Sequence, residues 1–237
     1  MRETEPRVAI ITGASQGIGA GLVAGYRGRG WAVVANSRTI KRSEDKNILT
    51  VDGDISETAT ADRIIGEAIE RFGRIDTLVN NAGIFIGKQF TDYTEEDYAS
   101  VVGVNLTGFF RITQRTIAEM LKQGAGHVVN ITTTLVDHAN SSVPSVLASL
   151  TKGGVAAATR SLAIEYASRG IRVNAVSPGV IQTSAQPPET YAGLARLHPL
   201  NRLGKVTDIV DGVLFLESSP FTTGEILHID GGQIAGH

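Results

Sequence analysis

The stretch Val8-Ala9-Ile10-Ile11-Thr12-Gly13-Ala14-Ser15-Gln16-Gly17-Ile18-Gly19 is an apolar run that breaks into closely spaced glycines, after which Leu22, Val23 and Tyr26 continue at helical spacing. It predicts strand, tight turn and helix. Gly13 lets the chain leave the strand, Gly17 removes a side chain where a pyrophosphate must approach the backbone, and Gly19 lets the helix pack on the sheet. The unpaired N–H groups of the helix start, with the positive end of its dipole, then face an anion. Many strand-to-helix turns use glycine without binding anything. Here the strand before and the helix after supply the context that a dinucleotide site needs.

The rest of the chain alternates in the same way. Trp31–Asn36, Asn47–Asp54, Ile75–Asn80, His127–Ile131, Ile171–Ser177 and Glu225–Ile229 read as further strands. Between them lie helices: Ser56 to Phe72, with Ile64, Ile65, Ala68, Ile69 and Phe72 on one face; Thr94 to Gln123; Pro144, as first residue, to about Ser168; and Val206 to Leu216. Alternation implies right-handed crossovers, a parallel sheet and ligands at the carboxyl ends of the strands. The 237 residues contain no linker and no internal repeat, so one α/β domain over 1–237 is expected. Residues 183–205, with Pro187, Pro188 and Pro199 and little periodicity, read as a substrate lid.

Charge and composition exclude several roles. A net charge of −2 without a basic face argues against nucleic acid or an anionic membrane as partner, and leaves a small molecule. The absence of cysteine rules out disulfides and thiolate chemistry, and no metal site is expected. Met1 to Pro6 carry charge and no apolar signal core, and no run is long enough to span a membrane, so a soluble cytoplasmic protein is expected.

The second strand ends at Ser37-Arg38. A carboxylate about 20 residues past the glycines marks sites for NAD, where it binds the ribose hydroxyls. No Asp or Glu lies between Glu5 and Glu44, while Arg38, Lys41 and Arg42 cluster there. A guanidinium at that point pairs with a 2′-phosphate, which favours NADP(H) over NAD(H); otherwise Arg38 is a solvated loop charge. Asn105, between Val104 and Leu106, is unfavourable inside a helix; it is either a core amide bonded to a nearby backbone or a water-holding site residue. Lys152 alone reads as a surface charge. The small residues Gly153 to Ala158 permit close approach of another backbone, from the core or from a second subunit.

Together these marks resemble a classical short-chain dehydrogenase/reductase over nearly the whole chain: TGxxxGxG at Thr12 to Gly19, NNAG at Asn80 to Gly83, the lone Asn105, Pro178-Gly179, and the closing Asp230-Gly231-Gly232. The resemblance implies a single Rossmann-type doubly wound domain, a seven-stranded parallel sheet and a homotetramer with long helices between subunits. It implies pyrophosphate contacts at Ser15, Gln16 and Ile18 beside the three glycines, and adenosine contacts at Ser37, Arg38, Asp54 and Ile55. Asn81, Ala82 and Gly83 are expected along the ribose, and Ile181 and Thr183, after the Pro178-Gly179 turn, at the nicotinamide. Asn105, Thr133 and Lys152 are the implied catalytic residues, with Lys152 also binding the nicotinamide ribose.

The departure lies at the chemistry. The family carries a proton-transferring Tyr four residues before the Lys; here that position is Ala148. Thr133 stands where a Ser is usual, and fifteen positions separate it from Ala148, about two more than the family commonly has. The segment holding His138 is therefore expected to be rebuilt. An NADP(H)-dependent oxidoreductase acting on a carbonyl, an activated alkene or an imine would need its proton from elsewhere: His138, Asp137, Ser145, Tyr191, His198, or a water held by Asn105 and Lys152. General acid help is worth about 10²–10⁴ in rate, so its loss matters. A non-catalytic nucleotide-binding protein or sensor is the competing reading. Phe85, Ile86, Gln186, Tyr191, Leu194 and Leu197 predict a mostly apolar substrate pocket.

Overall fold

Each apolar run becomes a strand that stops where polar turn residues begin. In the computed structural model, which describes residues 6–184 and 186–236, these are β1 (Val8–Thr12), β2 (Ala32–Ser37), β3 (Ile48–Asp52), β4 (Thr77–Asn80), β5 (Gly126–Ile131), β6 (Ile171–Pro178) and β7 (Ile226–Ile229). Residues 1–5, 185 and 237 lie outside the described residues, so the charged N-terminus and one position of the 183–205 segment are not placed. All seven strands run parallel in the order β3-β2-β1-β4-β5-β6-β7. The chain winds outward from β1 to β3 and then returns to β4 on the other side of β1. Loops leaving β1 and β4 consequently diverge, and a crevice opens at their carboxyl ends.

Helices cover both faces: α1 (Gly17–Gly28), α2 (Thr58–Phe72), α3 (Glu95–Val102), α4 (Phe109–Gln123), α5 (Val146–Tyr166), α6 (Tyr191–Ala195) and α7 (Val206–Glu217). Successive strand residues point to opposite faces, so Ile10, Val34, Leu78, Val128 and Val173 join one core with Ile64, Ile112 and Met120. Ile11, Val33, Val79 and Val129 join the other with Leu22, Tyr26, Ile209 and Val213. Burial on both faces explains why these strands are continuously apolar and do not alternate. Below the sheet, at the amino ends of its strands, Glu217 gathers three donors on Oε2: Tyr26 Oη at 3.1 Å, Thr77 Oγ1 at 2.8 Å and His127 Nδ1 at 3.0 Å.

The structure refines one expectation and corrects another. The Thr94 to Gln123 region is helical throughout but is not one α-helix, because residues Gly103–Gly108 form a π-helical turn between α3 and α4. Glycines bracket that turn, and Gly108 packs so close to Ile55 that a Cβ there would sit 2.9 Å from Ile55 Cγ2. Pro144 is not the first residue of the next helix: α5 begins at Val146 with Ser145 at its N-cap. The chain is still turning there, Ser145 Oγ donating to the Val143 carbonyl at 2.9 Å. The 183–205 segment carries the 3₁₀ turn Pro188–Thr190 and α6, and its ends are tied by a bridge between Ile181 and Gly204. Among the described residues no helix is long and apolar enough to cross a membrane.

Candidate active site

The β1 turn is shaped by two left-handed glycines, Gly13 at φ +65° and Gly17 at φ +53°. Gly19 packs directly on that turn: a Cβ there would lie 2.1 Å from the Gly13 carbonyl oxygen and 2.7 Å from Asn81 Nδ2. Only a residue without a side chain fits at 19. The β4 turn is sewn to the β1 turn by side chains. Thr12 Oγ1 accepts from the Asn81 and Ala82 N–H groups at 3.1 and 3.0 Å, and Asn81 Nδ2 donates to the Thr12 and Gly13 carbonyls at 3.0 and 3.2 Å. The two loops therefore form one rigid rim. At α1 the N-cap Gln16 makes no side-chain cap and the first turn holds no acid, which leaves the helix's N–H groups and dipole for an anion.

The crevice beside this rim has a volume of about 350 Å³. Gly13, Ser15, Gln16, Gly17, Ile18 and Gly19 form one wall; Ser37, Arg38, Asp54 and Ile55 form the outer end; Asn81, Ala82 and Gly83 form the opposite wall. Thr183 closes over Gly17, so that a Cβ on Gly17 would lie 3.3 Å from Thr183 Cγ2. Thr183 is fixed in turn by its N–H and Oγ1 donating to Gln186 Oε1 at 3.1 and 2.8 Å. At the outer end Arg38 Nη1 stands 3.9 Å from Asp54 Oδ2. Burial raises the Asp54 carboxyl, but the Ser56 N–H and hydroxyl together with Arg38 hold it below the usual carboxylate range.

Other residues of the crevice had no motif to mark them. Asn36, Thr39, Gly53, Ile84, Val104 and Ser184 also line it. Asn36 and Gly53 lie at the carboxyl ends of β2 and β3, where the parallel-sheet rule directs attention, and Ile84 and Val104 adjoin Gly83 and Asn105. Conversely, Gly179 and Ile181 face a separate cavity lined by His198, Arg202 and Asp230, and Pro178 ends β6.

Behind the crevice wall Asn105 and Lys152 meet at Gly83, while Thr133 follows β5, at the N-cap of a 3₁₀ turn. Asn105, 2% exposed, pairs with the backbone of Ile84 as a strand neighbour would: Oδ1 accepts from its N–H at 2.9 Å and Nδ2 donates to its carbonyl at 3.0 Å. Nδ2 also donates to Thr151 Oγ1 at 3.1 Å, so the side chain braces the β4 loop against α5. Lys152 is no surface charge. Its Nζ donates to the Ile131 carbonyl at 2.6 Å, and a Cβ on Gly83 would lie 3.2 Å from Nζ and 3.4 Å from Asn105 Oδ1. Burial lowers the Lys152 ammonium to about 8. Thr133 Oγ1 accepts from the Leu135 N–H at 3.4 Å, which leaves its hydroxyl proton to donate.

Asp137, Ser145 and His198, three of the alternative proton donors, are engaged elsewhere. Asp137 meets His228 Nε2 at 3.1 Å, Ser145 is bound to Val143, and His138 is exposed. His198 is buried behind the β6 turn, its Nε2 accepting the Val180 N–H at 2.9 Å. Tyr191 is half-buried in α6. Ala148 is buried on the face of α5 that carries Lys152, one turn earlier.

Comparison with known proteins places this arrangement in a lineage. Residues 13–233 match the family model described as enoyl-(acyl carrier protein) reductase. The chain is 34% identical to the 3-oxoacyl-[acyl-carrier-protein] reductase FabG of Thermotoga maritima, over 97% of this chain and 98% of that protein. Among solved structures it superposes on ElxO with NADP bound at a TM-score of 0.92, with 29% identity over 98% of this chain and 100% of that one. A short chain dehydrogenase from Bacillus anthracis superposes at a TM-score of 0.88, with 30% identity over 98% and 97% of the two chains. With its seven-stranded doubly wound sheet and its glycine turn, the chain belongs to the short-chain dehydrogenase/reductase family.

Proposed function

We propose that this chain is an NADP(H)-dependent oxidoreductase that moves a hydride to or from a carbonyl, an activated alkene or an imine, with a proton supplied by a group other than a phenol. The observation that carries the reading is a crevice with an uncapped helix N-terminus at its middle and a guanidinium at its outer end, and with the Lys152 ammonium set directly behind Gly83 of its wall. Such an order of groups matches pyrophosphate, 2′-phosphate and nicotinamide ribose in turn. The bound nicotinamide supplies or accepts the hydride; the chain does the rest. Ser15, Gln16 and Ile18 hold the pyrophosphate, Arg38 and Ser37 the adenosine phosphate, Asp54 and Ile55 the adenine, and Asn81 to Gly83 the ribose. Thr133 donates to the substrate oxygen, and Asn105 fixes the β4 loop against the helix that carries Lys152.

The names of the matched family and relative, both reductases of acyl chains on a carrier protein, support including acyl thioesters among the substrates tried. Residues 183–205 act as the lid, their ends tied by the Ile181 to Gly204 bridge. Phe110 on α4 and Leu150 and Ile164 on α5 are large, apolar and exposed, which supports a homotetramer assembled through these helices. The test is fluorescence titration with NADPH and NADH, followed by NADPH consumption with ketones, oxoacyl and enoyl thioesters, quinones and imines. Tighter binding of NADPH and turnover with one substrate class are expected. Binding without turnover by any class would turn the reading to a nucleotide sensor, and binding of neither nucleotide would overturn it.

A further inference from the structure

We infer that Lys152 is itself the proton donor of the reaction, a role that rests on the reading of the crevice as a nicotinamide site. Among the described residues that line the crevice, the ionisable groups Arg38 and Asp54 sit at the outer end. Lys152 does not line the crevice itself but stands directly behind its wall, its Nζ against Gly83 and bonded to the Ile131 carbonyl. An ammonium has three N–H bonds; one is spent on Ile131, and two are left to face a ligand. A long helical side chain leans toward the turn before its own, where position 148, one turn earlier on the same face, carries only a methyl.

The neighbours shown for Nζ are uncharged: the Ile131 carbonyl from β5, Gly83 from the β4 loop, and Asn105 from the π-turn beside the same glycine. Desolvation acts on it without an opposing acid, which makes the ammonium a readier donor than an exposed lysine. A donor whose acidity lies near working pH is the efficient one. In reduction the carbonyl carbon takes a hydride from the reduced nicotinamide, and the carbonyl oxygen takes a proton from Nζ. The carbonyl becomes an alcohol, the nicotinamide is oxidised, and the lysine is left as a neutral amine that regains its proton from water. Thr133 donates a hydrogen bond to the same oxygen without giving up its proton.

The experiment compares wild type, Lys152→Arg and Lys152→Ala with the substrate class that the screen above finds, and reads three quantities. The first is the pH at which Lys152 becomes reactive to reductive methylation, followed by NMR of the labelled amine; a midpoint near about 8 is expected. The second is kcat/KM for reduction against pH, expected to fall tenfold per unit above that midpoint in wild type and to be flat in Lys152→Arg, with kcat down about 10²–10⁴-fold. NADPH affinity of Lys152→Arg is expected within about tenfold of wild type, since the positive charge remains. The third is rescue of Lys152→Ala by small primary amines, with a rate that depends on the acidity of the amine. Arginine keeping the rate within about threefold, or amines failing to restore it, overturns Lys152 as the donor while leaving the oxidoreductase reading intact. Absence of NADPH consumption by wild type across the whole panel overturns both.

Discussion

Replacing Arg38 by glutamine tests cofactor choice through one side chain. Its guanidinium is 70% exposed and its nearest acid, Asp54, stands at 3.9 Å, the outer limit of an ion pair. A pair so exposed contributes little to stability, so Arg38 is free to exchange Asp54 for a phosphate without cost to the fold. A guanidinium on a phosphate makes charge-assisted bonds, each worth about 1.5–3 kcal/mol. Loss of one such bond weakens binding roughly 10- to 150-fold. NADPH affinity, measured by fluorescence or calorimetric titration, is therefore expected to drop by that factor, while NADH affinity changes less than about twofold because it lacks the 2′-phosphate. The same exposure makes the effect salt-dependent, so the NADPH preference of wild type should shrink as ionic strength rises past about 0.15 M. An equal loss for both nucleotides, or no loss for NADPH, would refute the assignment of Arg38 to the 2′-phosphate.

Gly19→Ala drives a methyl into the Gly13 carbonyl and is expected to abolish nucleotide binding in titrations and to lower the thermal midpoint. Glu217→Ala leaves Tyr26, Thr77 and His127 without their shared acceptor, and the cost in guanidinium unfolding is expected to be about 1–3 kcal/mol for each buried donor left unsatisfied. Burial raises Glu217, but the bonds from His127, Thr77 and Tyr26 hold it below its ordinary range; burial likewise lowers His127. Both groups hold fewer protons folded than unfolded across their titration ranges, so stability is full at neutral pH. It is expected to fall as pH drops below about 6.5 for His127 and again below about 4.3 for Glu217, and Glu217→Gln should remove the lower step in pH-resolved melts. Asn105→Leu strands the Ile84 backbone and Thr151, and weaker NADPH binding with a lower midpoint is expected from titration and calorimetry.

The glycine turn and the parallel sheet were legible because their causes are local. Gly13 and Gly17 are needed for backbone angles, the strands for continuous burial, and both leave a mark within a dozen residues. Lys152 was not legible in the same way. Its neighbours Thr151 and Gly153 suggest an exposed helix position, whereas its burial comes from Gly83 and Ile131, distant in sequence and brought in by the crossovers. Asn105 could be read as a braced core amide, but its partner Ile84 lies on another loop and only the fold supplies it. The Glu217 and His127 pair joins residues 90 positions apart, and no periodicity predicts it. Gly179 and Ile181 were placed by resemblance at the crevice, yet the β6 turn faces them toward a separate cavity.

The π-turn at Gly103–Gly108 is in effect one residue more than an α-helix needs to join α3 to α4. That extra residue works as a phase shifter: each helical residue is worth roughly 100° of rotation, so the insertion lets α3 and α4 keep independent faces toward the core while Asn105 turns toward Ile84. Removing one residue from the turn would restore regular winding and improve its local hydrogen bonding. It would also rotate Asn105 off the β4 loop or turn the buried face of α4, with Ile112, Thr113, Thr116 and Met120, away from the sheet. A deletion that perfects this helix would therefore dismantle either the crevice or the core beneath it.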